Sequence, residues 1–230
     1  MKKIIRGFIA TVIAICITVS ISYTMKCCSS YPSQTLEEDS EPDSIIEYIE
    51  VESLCNTPEC VICLQPYNDF TQEETEKLLY VLKKKFGKML YGYWDFRILP
   101  NKSLPNNSYI KAIDRYKATS ILDYEKTLIK ENSKWEMIIG LTHKDICMDI
   151  HGKKNYGIIG CSYRPGYVCI VSDKRVKNKK DYWKPIMHEF IHAFYNEGHC
   201  PEDNNACIMQ DGKGKGDFSN KEILCNSCKH

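Results

Sequence analysis

The chain has 230 residues, 43% hydrophobic and 11% aromatic, which suits one folded domain of moderate size with a short attachment. A net charge of +1 gives no electrostatic footing for nucleic acid, so no nucleic-acid partner is expected. The 13 cysteines need more than one explanation.

Lys2, Lys3 and Arg6 precede an apolar run from Gly7 to about Tyr23 that includes Ile9, Val12, Ile13, Ile15, Ile17, Val19 and Ile21. A positive start before such a run predicts an export signal or a retained membrane anchor over residues 1–25. No small-x-small cleavage site follows, and Cys27-Cys28 is an alternative point of lipid attachment. The expected protein is exported and membrane-associated through this segment, and otherwise a monomer. Residues 26–54 mix serine and proline with Glu37, Glu38, Asp39, Glu41 and Asp43, a composition too polar to fold alone, and are expected to be an acidic flexible linker. The folded domain is then residues 55–230.

Within it, Val61–Leu64 predicts a buried strand. Thr71-x-x-Glu74 is a capping box opening a helix that buries Leu78, Leu79, Val81 and Leu82 and ends near Gly87. Tyr91–Leu99 predicts a strand, Pro100–Ser108 a loop, Ala118–Lys130 a helix and Trp135–Leu141 a central strand. Tyr156–Ser162 and Tyr167–Ser172 predict paired strands around the turn Arg164-Pro165-Gly166. A last helix runs from about Tyr182 to Tyr195, with Pro185 early enough to be tolerated. This order predicts an α/β (α+β) domain, a mixed twisted sheet with packed helices. Cys55, Cys60 and Cys63 could pair, be buried or form a metal cluster; burial or disulfides are expected, as for Cys147, Cys161 and Cys169. His143 and His151 are expected to be surface or hydrogen-bonded histidines, and Lys177–Lys180 a solvated basic loop. Asn101-Lys-Ser103 and Asn106-Asn-Ser108 match glycosylation acceptors, relevant only in a eukaryotic secretory host.

The last helix carries His188-Glu189-Phe190-Ile191-His192, and His199-Cys200 follows. H-E-x-x-H puts two imidazoles one turn apart on one helix face, where both can bind one Zn²⁺. Glu189 is then placed as the general base for the metal's water. His199 can complete three nitrogen ligands and leave a fourth position open, as a catalytic zinc needs. The bland alternative is two surface histidines on an amphipathic helix. Cys200, Cys207, Cys225 and Cys228 form two pairs separated by a loop, the pattern of a sulfur-bound structural zinc; two disulfides in an exported, metal-free interaction domain are the alternative. Met209 follows closely. Tyr195 could offer a phenol to the metal site or pack under the helix end.

The succession His188-Glu189-x-x-His192, His199-Cys200, Cys207-x-Met209, Cys225-x-x-Cys228 resembles the archaemetzincin family of zinc metallopeptidases, whose pattern is H-E-x-x-H-x-x-G-x-x-H-C, then C-x-M, then C-x-x-C. The resemblance implies a compact metzincin-like domain acting on peptide or protein substrates. His188, His192 and His199 would hold a catalytic zinc and Glu189 would be the base. Met209 would be the Met-turn residue, and the four cysteines would hold a structural zinc that staples the carboxyl-terminal loop. Upstream, Val61–Tyr67, Gly140–Ile146 and Gly157–Ser172 resemble the family's opening strand, central strand and edge hairpin, with Cys169–Ser172 the expected substrate-pairing part. The sequence departs from the pattern at two places. Tyr195 replaces the glycine after the second histidine and one extra residue precedes His199, so Gly198 or a left-handed Asn196 must make the turn. The Cys200–Cys207 spacing is also longer than usual. These departures raise the alternative of a catalytically inactive zinc-binding module that recognises peptides.

Overall fold

The computed structural model describes residues 60–129, 136–150, 152–202, 204–212 and 215–229. The expected anchor, the linker, Cys55, Trp135 and His151 lie outside the described residues. Among the described residues no helix is long and apolar enough to cross a membrane.

Strand β1 (Cys60–Pro66) is buried along almost its whole length, as a strand covered on both faces must be. Cys60, Ile62 and Leu64 enter one core, while Cys63 and Tyr67 enter a second on the opposite face. Alternation along the strand therefore separates Cys60 from Cys63 and rules out a shared metal. Helix α1 (Gln72–Met89) opens with the predicted capping box: Thr71 Oγ1 accepts from Glu74 N at 3.2 Å, and Glu74 Oε2 accepts from Thr71 N at 2.8 Å. It buries Leu82 and Phe86 and leads to β2 (Trp94–Ile98), whose first paired residue, Trp94, lies opposite Cys60.

Two short strands, β3 (Tyr109–Ile110) and β4 (Arg115–Lys117), precede helix α2 (Ala118–Leu128), which packs Ala118, Ile121 and Leu122 into the second core. Then come β5 (Glu136–Thr142), β6 (Ile146–Ile150), β7 (Lys153–Ile158), β8 (Gly160–Ser162), β9 (Val168–Ser172) and helix α3 (Trp183–Phe194). A five-stranded sheet has the order β2-β1-β5-β9-β8, parallel except for β8. The remaining strands form a second sheet, β3-β4-β6-β7.

The sequence predicts one mixed sheet, and the structure has two. The predicted strand Tyr156–Ser162 breaks at Ile159: β7 pairs with β6 in the second sheet, and β8 pairs with β9 in the first. Cys169–Ser172, expected along the substrate cleft, is instead the buried middle of β9, flanked by β5 and β8. The edges of this sheet are β2 and β8. None of the nine described cysteines forms a disulfide.

Candidate metal centres

Helix α3 lies in the first core through Trp183, Ile186, Met187, Phe190, Ile191 and Ala193. The Phe190 ring meets Phe86 at 4.8 Å, Trp94 at 5.3 Å and Phe194 at 5.3 Å between centroids. Just before the helix, Tyr182 donates its hydroxyl to Val171 O at 2.7 Å, fixing the helix start against β9.

Residues 184, 188 and 192 are spaced by four and share one side of the helix. Each takes a carbonyl of the chain that returns after α3. Lys184 Nζ donates to Phe218 O at 2.8 Å and pairs with Asp181 and Glu222. His188 Nδ1 lies 2.8 Å from Ile208 O, and His192 Nδ1 lies 2.6 Å from Glu197 O. These contacts commit both Nδ1 atoms as donors and leave both Nε2 atoms bare, 2.9 Å apart. His199 swings in to complete the group, its ring 5.3 Å from His188 and 4.9 Å from His192. One ligand atom from each of the three lies within 4.8 Å of the others.

The turn that brings His199 in is made by Asn196, at φ 59°, while Gly198 stays out of the left-handed region. Tyr195 caps the helix end with its N–H on Ile191 O and packs its ring against Phe190 and Phe194. The late turn thus absorbs the extra residue.

Burial pushes the His188 imidazole down to about 3, helped by the His192 ring beside it, and pushes His192 down to about 4. Both are held neutral, as metal ligation requires. Glu189, the residue after His188 on α3, meets Gly160 and Ser162 of β8. It is 8% exposed, and burial raises its carboxyl to about 7 against a hydrogen bond from Ser162 and the charge of Arg164. Gly160 makes room for it: a methyl group there would lie 2.6 Å from Glu189 Cγ and 2.7 Å from Oε1.

The four cysteines are buried and lie within 4.8 Å of one another, with Cys200 Sγ 3.5 Å from Cys225 Sγ. A single cage of four sulfurs fits one tetrahedral ion; two disulfides would instead give two bonded pairs at about 2.05 Å. Burial and neighbouring sulfurs push the Cys228 thiol up, while hydrogen bonds from neighbouring sulfurs outweigh burial and hold Cys225 below its ordinary value. Cys200 N donates to Met209 O at 2.8 Å, and Met209 is buried one residue after the carbonyl that orients His188. Lys221 Nζ donates to Gln210 O at 2.8 Å and Cys207 O at 3.3 Å, tying the same loop from beneath.

All seven metal-ligand candidates are thus gathered into two groups, of three nitrogens and of four sulfurs, and both donor sets suit zinc. Gly160, Ser162, Arg164 and the carbonyls of Glu197 and Ile208 escape sequence reasoning. Of these, only a glycine inside a strand carries a signal, that of close approach.

The fold of this α/β domain is that of the archaemetzincins. No family model matches the sequence, and no curated protein matches it. Among solved structures, the archaemetzincin of Methanopyrus kandleri matches at TM-score 0.61 and 20% identity, covering 76% of this chain and 94% of that one. The archaemetzincin of Archaeoglobus fulgidus, in complex with malonate, matches at TM-score 0.50 and 21% identity, over 73% and 97%. A zinc-dependent peptidase from Methanocorpusculum labreanum matches at TM-score 0.52 and 19% identity, over 73% and 97%.

Proposed function

We propose that the protein is a zinc-dependent peptidase, with one catalytic and one structural zinc. The observation that carries this reading is the convergence of His188, His192 and His199, with the buried Glu189 following His188 on the same helix. His188 and His192 would hold the catalytic ion through Nε2, their Nδ1 atoms being spent on carbonyls, with His199 as third ligand. When bound there, zinc supplies Lewis acidity toward a scissile carbonyl and lowers the pKa of water towards about 7.

The chain's own groups do the rest. Glu189, with its carboxyl raised to about 7, is poised to take a proton from the attacking water and pass it to the leaving amine. Ser162 holds that carboxylate against β8, whose free edge can pair with an extended peptide. Cys200, Cys207, Cys225 and Cys228 would hold the structural zinc and keep the carbonyl of Ile208 on His188.

The alternative, an inactive peptide-recognition module, drew its support from the late third histidine. The Asn196 turn that brings His199 into the cluster supports the enzyme reading over it. Glu189→Gln in the zinc-loaded chain should keep both zincs and lose about 10²–10⁴-fold in kcat on a peptide library. Turnover equal to that of the unaltered protein would sink the mechanism; no turnover by either would leave the recognition module.

Residues 1–25 are further proposed to tether residues 55–230 to a membrane through the acidic linker, the composition of both segments being the support. Release of the protein into the soluble fraction of a gently lysed producing cell, with residues 1–25 still attached, would overturn that.

A further inference from the structure

Gly160 and Ser162 of β8 face α3 at alternate positions, as one side of a strand requires, and Arg164, just beyond the strand, reaches the chain that follows α3. Gly160 packs on Glu189 and Ser162 hydrogen-bonds it. Two residues further on, Arg164 Nη1 donates to Glu197 O at 3.1 Å. That carbonyl is the one that also accepts from His192 Nδ1. The guanidinium is therefore held two hydrogen bonds and the width of an imidazole from the bare nitrogen of His192. Its charge is felt at both His192 and Glu189.

Arg164 is nonetheless exposed and forms no ion pair among the described residues. The other two arginines of this half of the domain behave differently: Arg115 and Arg175 both engage the carboxylate of Asp145, at 2.8 and 2.7 Å. An arginine side chain has five N–H donors in a planar fork that matches a carboxylate. In Arg164 a single backbone carbonyl occupies one of them, which fixes the side chain in place without neutralising it. A guanidinium held in this way, beside the candidate ligand histidines and just past the edge strand β8, has N–H donors with which to take an anion. The formal anionic groups of an unmodified peptide are carboxylates.

We propose that Arg164 is the substrate-selecting residue of this cleft and binds a carboxylate of the peptide, either the free C-terminus or an Asp or Glu side chain. Resting on the peptidase reading, it places that carboxylate one to three residues from the bond that is cut, at about 3.3 Å per residue of extended peptide. Arg164 touches substrate away from the reacting atoms, so its loss should act on KM more than on kcat for carboxylate-bearing peptides.

The zinc-loaded full chain is given a degenerate octapeptide library in two forms, C-terminal acid and C-terminal amide, and cleaved bonds are read by mass spectrometry. The expected result is an enrichment of about tenfold for a carboxylate at one fixed distance from the cut, abolished in Arg164→Met. Enrichment in the acid form alone assigns the C-terminus; enrichment of Asp and Glu in the amide form assigns a side chain. Zinc content shows whether the variant keeps its site. If Arg164→Met loses zinc, Arg164→Lys serves instead: it keeps the charge without the fork, and the enrichment should fall about threefold. No carboxylate enrichment in the unaltered protein, or the same enrichment in the variant, overturns the proposal. If nothing is cleaved, the peptidase reading fails by itself. The same library, recovered by equilibrium binding to the two proteins, then decides the role of Arg164: selection of carboxylates only when Arg164 is present supports it, and equal selection overturns it.

Discussion

The histidine and cysteine clusters meet at one peptide bond, His199–Cys200, and differ in how they are held. His188 and His192 ride on a helix whose other faces are filled by core aromatics, and each ring is oriented by a carbonyl. The nitrogen site is shaped by the fold, and His199 on its rim is exposed. The cysteines all come from irregular chain after α3, where the sole strand-like contact among the described residues is the bridge between Cys207 and Ile223. Their cage is buried and closed. A site shaped by the fold can keep an open position for chemistry, whereas a closed site must itself shape the chain around it.

The largest test of this contrast pits one cluster against the other. Cys225→Ser with Cys228→Ser should remove one zinc per chain and lower the melting temperature by more than about 10 °C, because a structural zinc's binding energy is folding energy. His188→Ala should remove the other zinc and shift the melt by less than about 5 °C, the cost of one oriented hydrogen bond and a trimmed ring. Elemental analysis with thermal unfolding reads both. Equal melts for the two variants would show that the sites are not held differently.

A smaller effect is expected at the turn joining the clusters. Asn196 sits at φ 59°, a region glycine enters freely and most L-residues enter at a cost of about 1–2 kcal/mol. Asn196→Gly should leave stability within about 0.5 kcal/mol, and Asn196→Val should lose more than about 1 kcal/mol and weaken zinc retention by the histidines. Chemical unfolding and competition with a chelator would check this. Equal behaviour of the two variants would mean that the late turn does not depend on Asn196.

The two candidate metal-ligand clusters are legible in the sequence because helix period and cysteine pairing are local patterns: His188 and His192 are one turn apart, and Cys225-x-x-Cys228 is a single knuckle. The capping box of α1 is legible for the same reason, as is Leu82 in its core face, with Leu78, Leu79 and Val81 packed half-buried around it. The second sheet is not. β3 and β4 have two and three residues, too few for any periodicity, and β6 is half-exposed and bulged. The break at Ile159 turns one continuous apolar stretch into two strands of different sheets, a fact of topology. Ser162 and Arg164 join the site only through that topology, and the carbonyls of Ile208 and Glu197 belong to a group that every residue carries. Conversely, Cys60 and Cys63 look like a cluster in the sequence and are separated by the alternation of β1.

The smallest expected effect lies where neither cluster reaches, at His143. Its ring stacks on Phe70 at 4.6 Å between centroids, with Nδ1 3.0 Å from Asp173 Oδ1 and Nε2 3.5 Å from Glu74 Oε2, so it links β5 to the capping box of α1. Burial opposes its protonation, but the hydrogen bond and charge of Asp173, with Glu74 behind them, raise its pKa. A raised histidine contributes stability that is complete below its unfolded value of about 6.5 and disappears as pH climbs through the higher folded value. His143→Gln should therefore cost about 0.5–1 kcal/mol at pH 6, where the imidazolium faces two carboxylates, and less at pH 9, where the unaltered ring is neutral too. Urea unfolding of both proteins at the two pH values, with zinc saturating, measures the gap. Because the zinc ligands are the same in both chains, their own titration cancels in the difference. A gap of equal size at both pH values would show that His143 supports the domain by packing on Phe70 alone, with its charge contributing nothing.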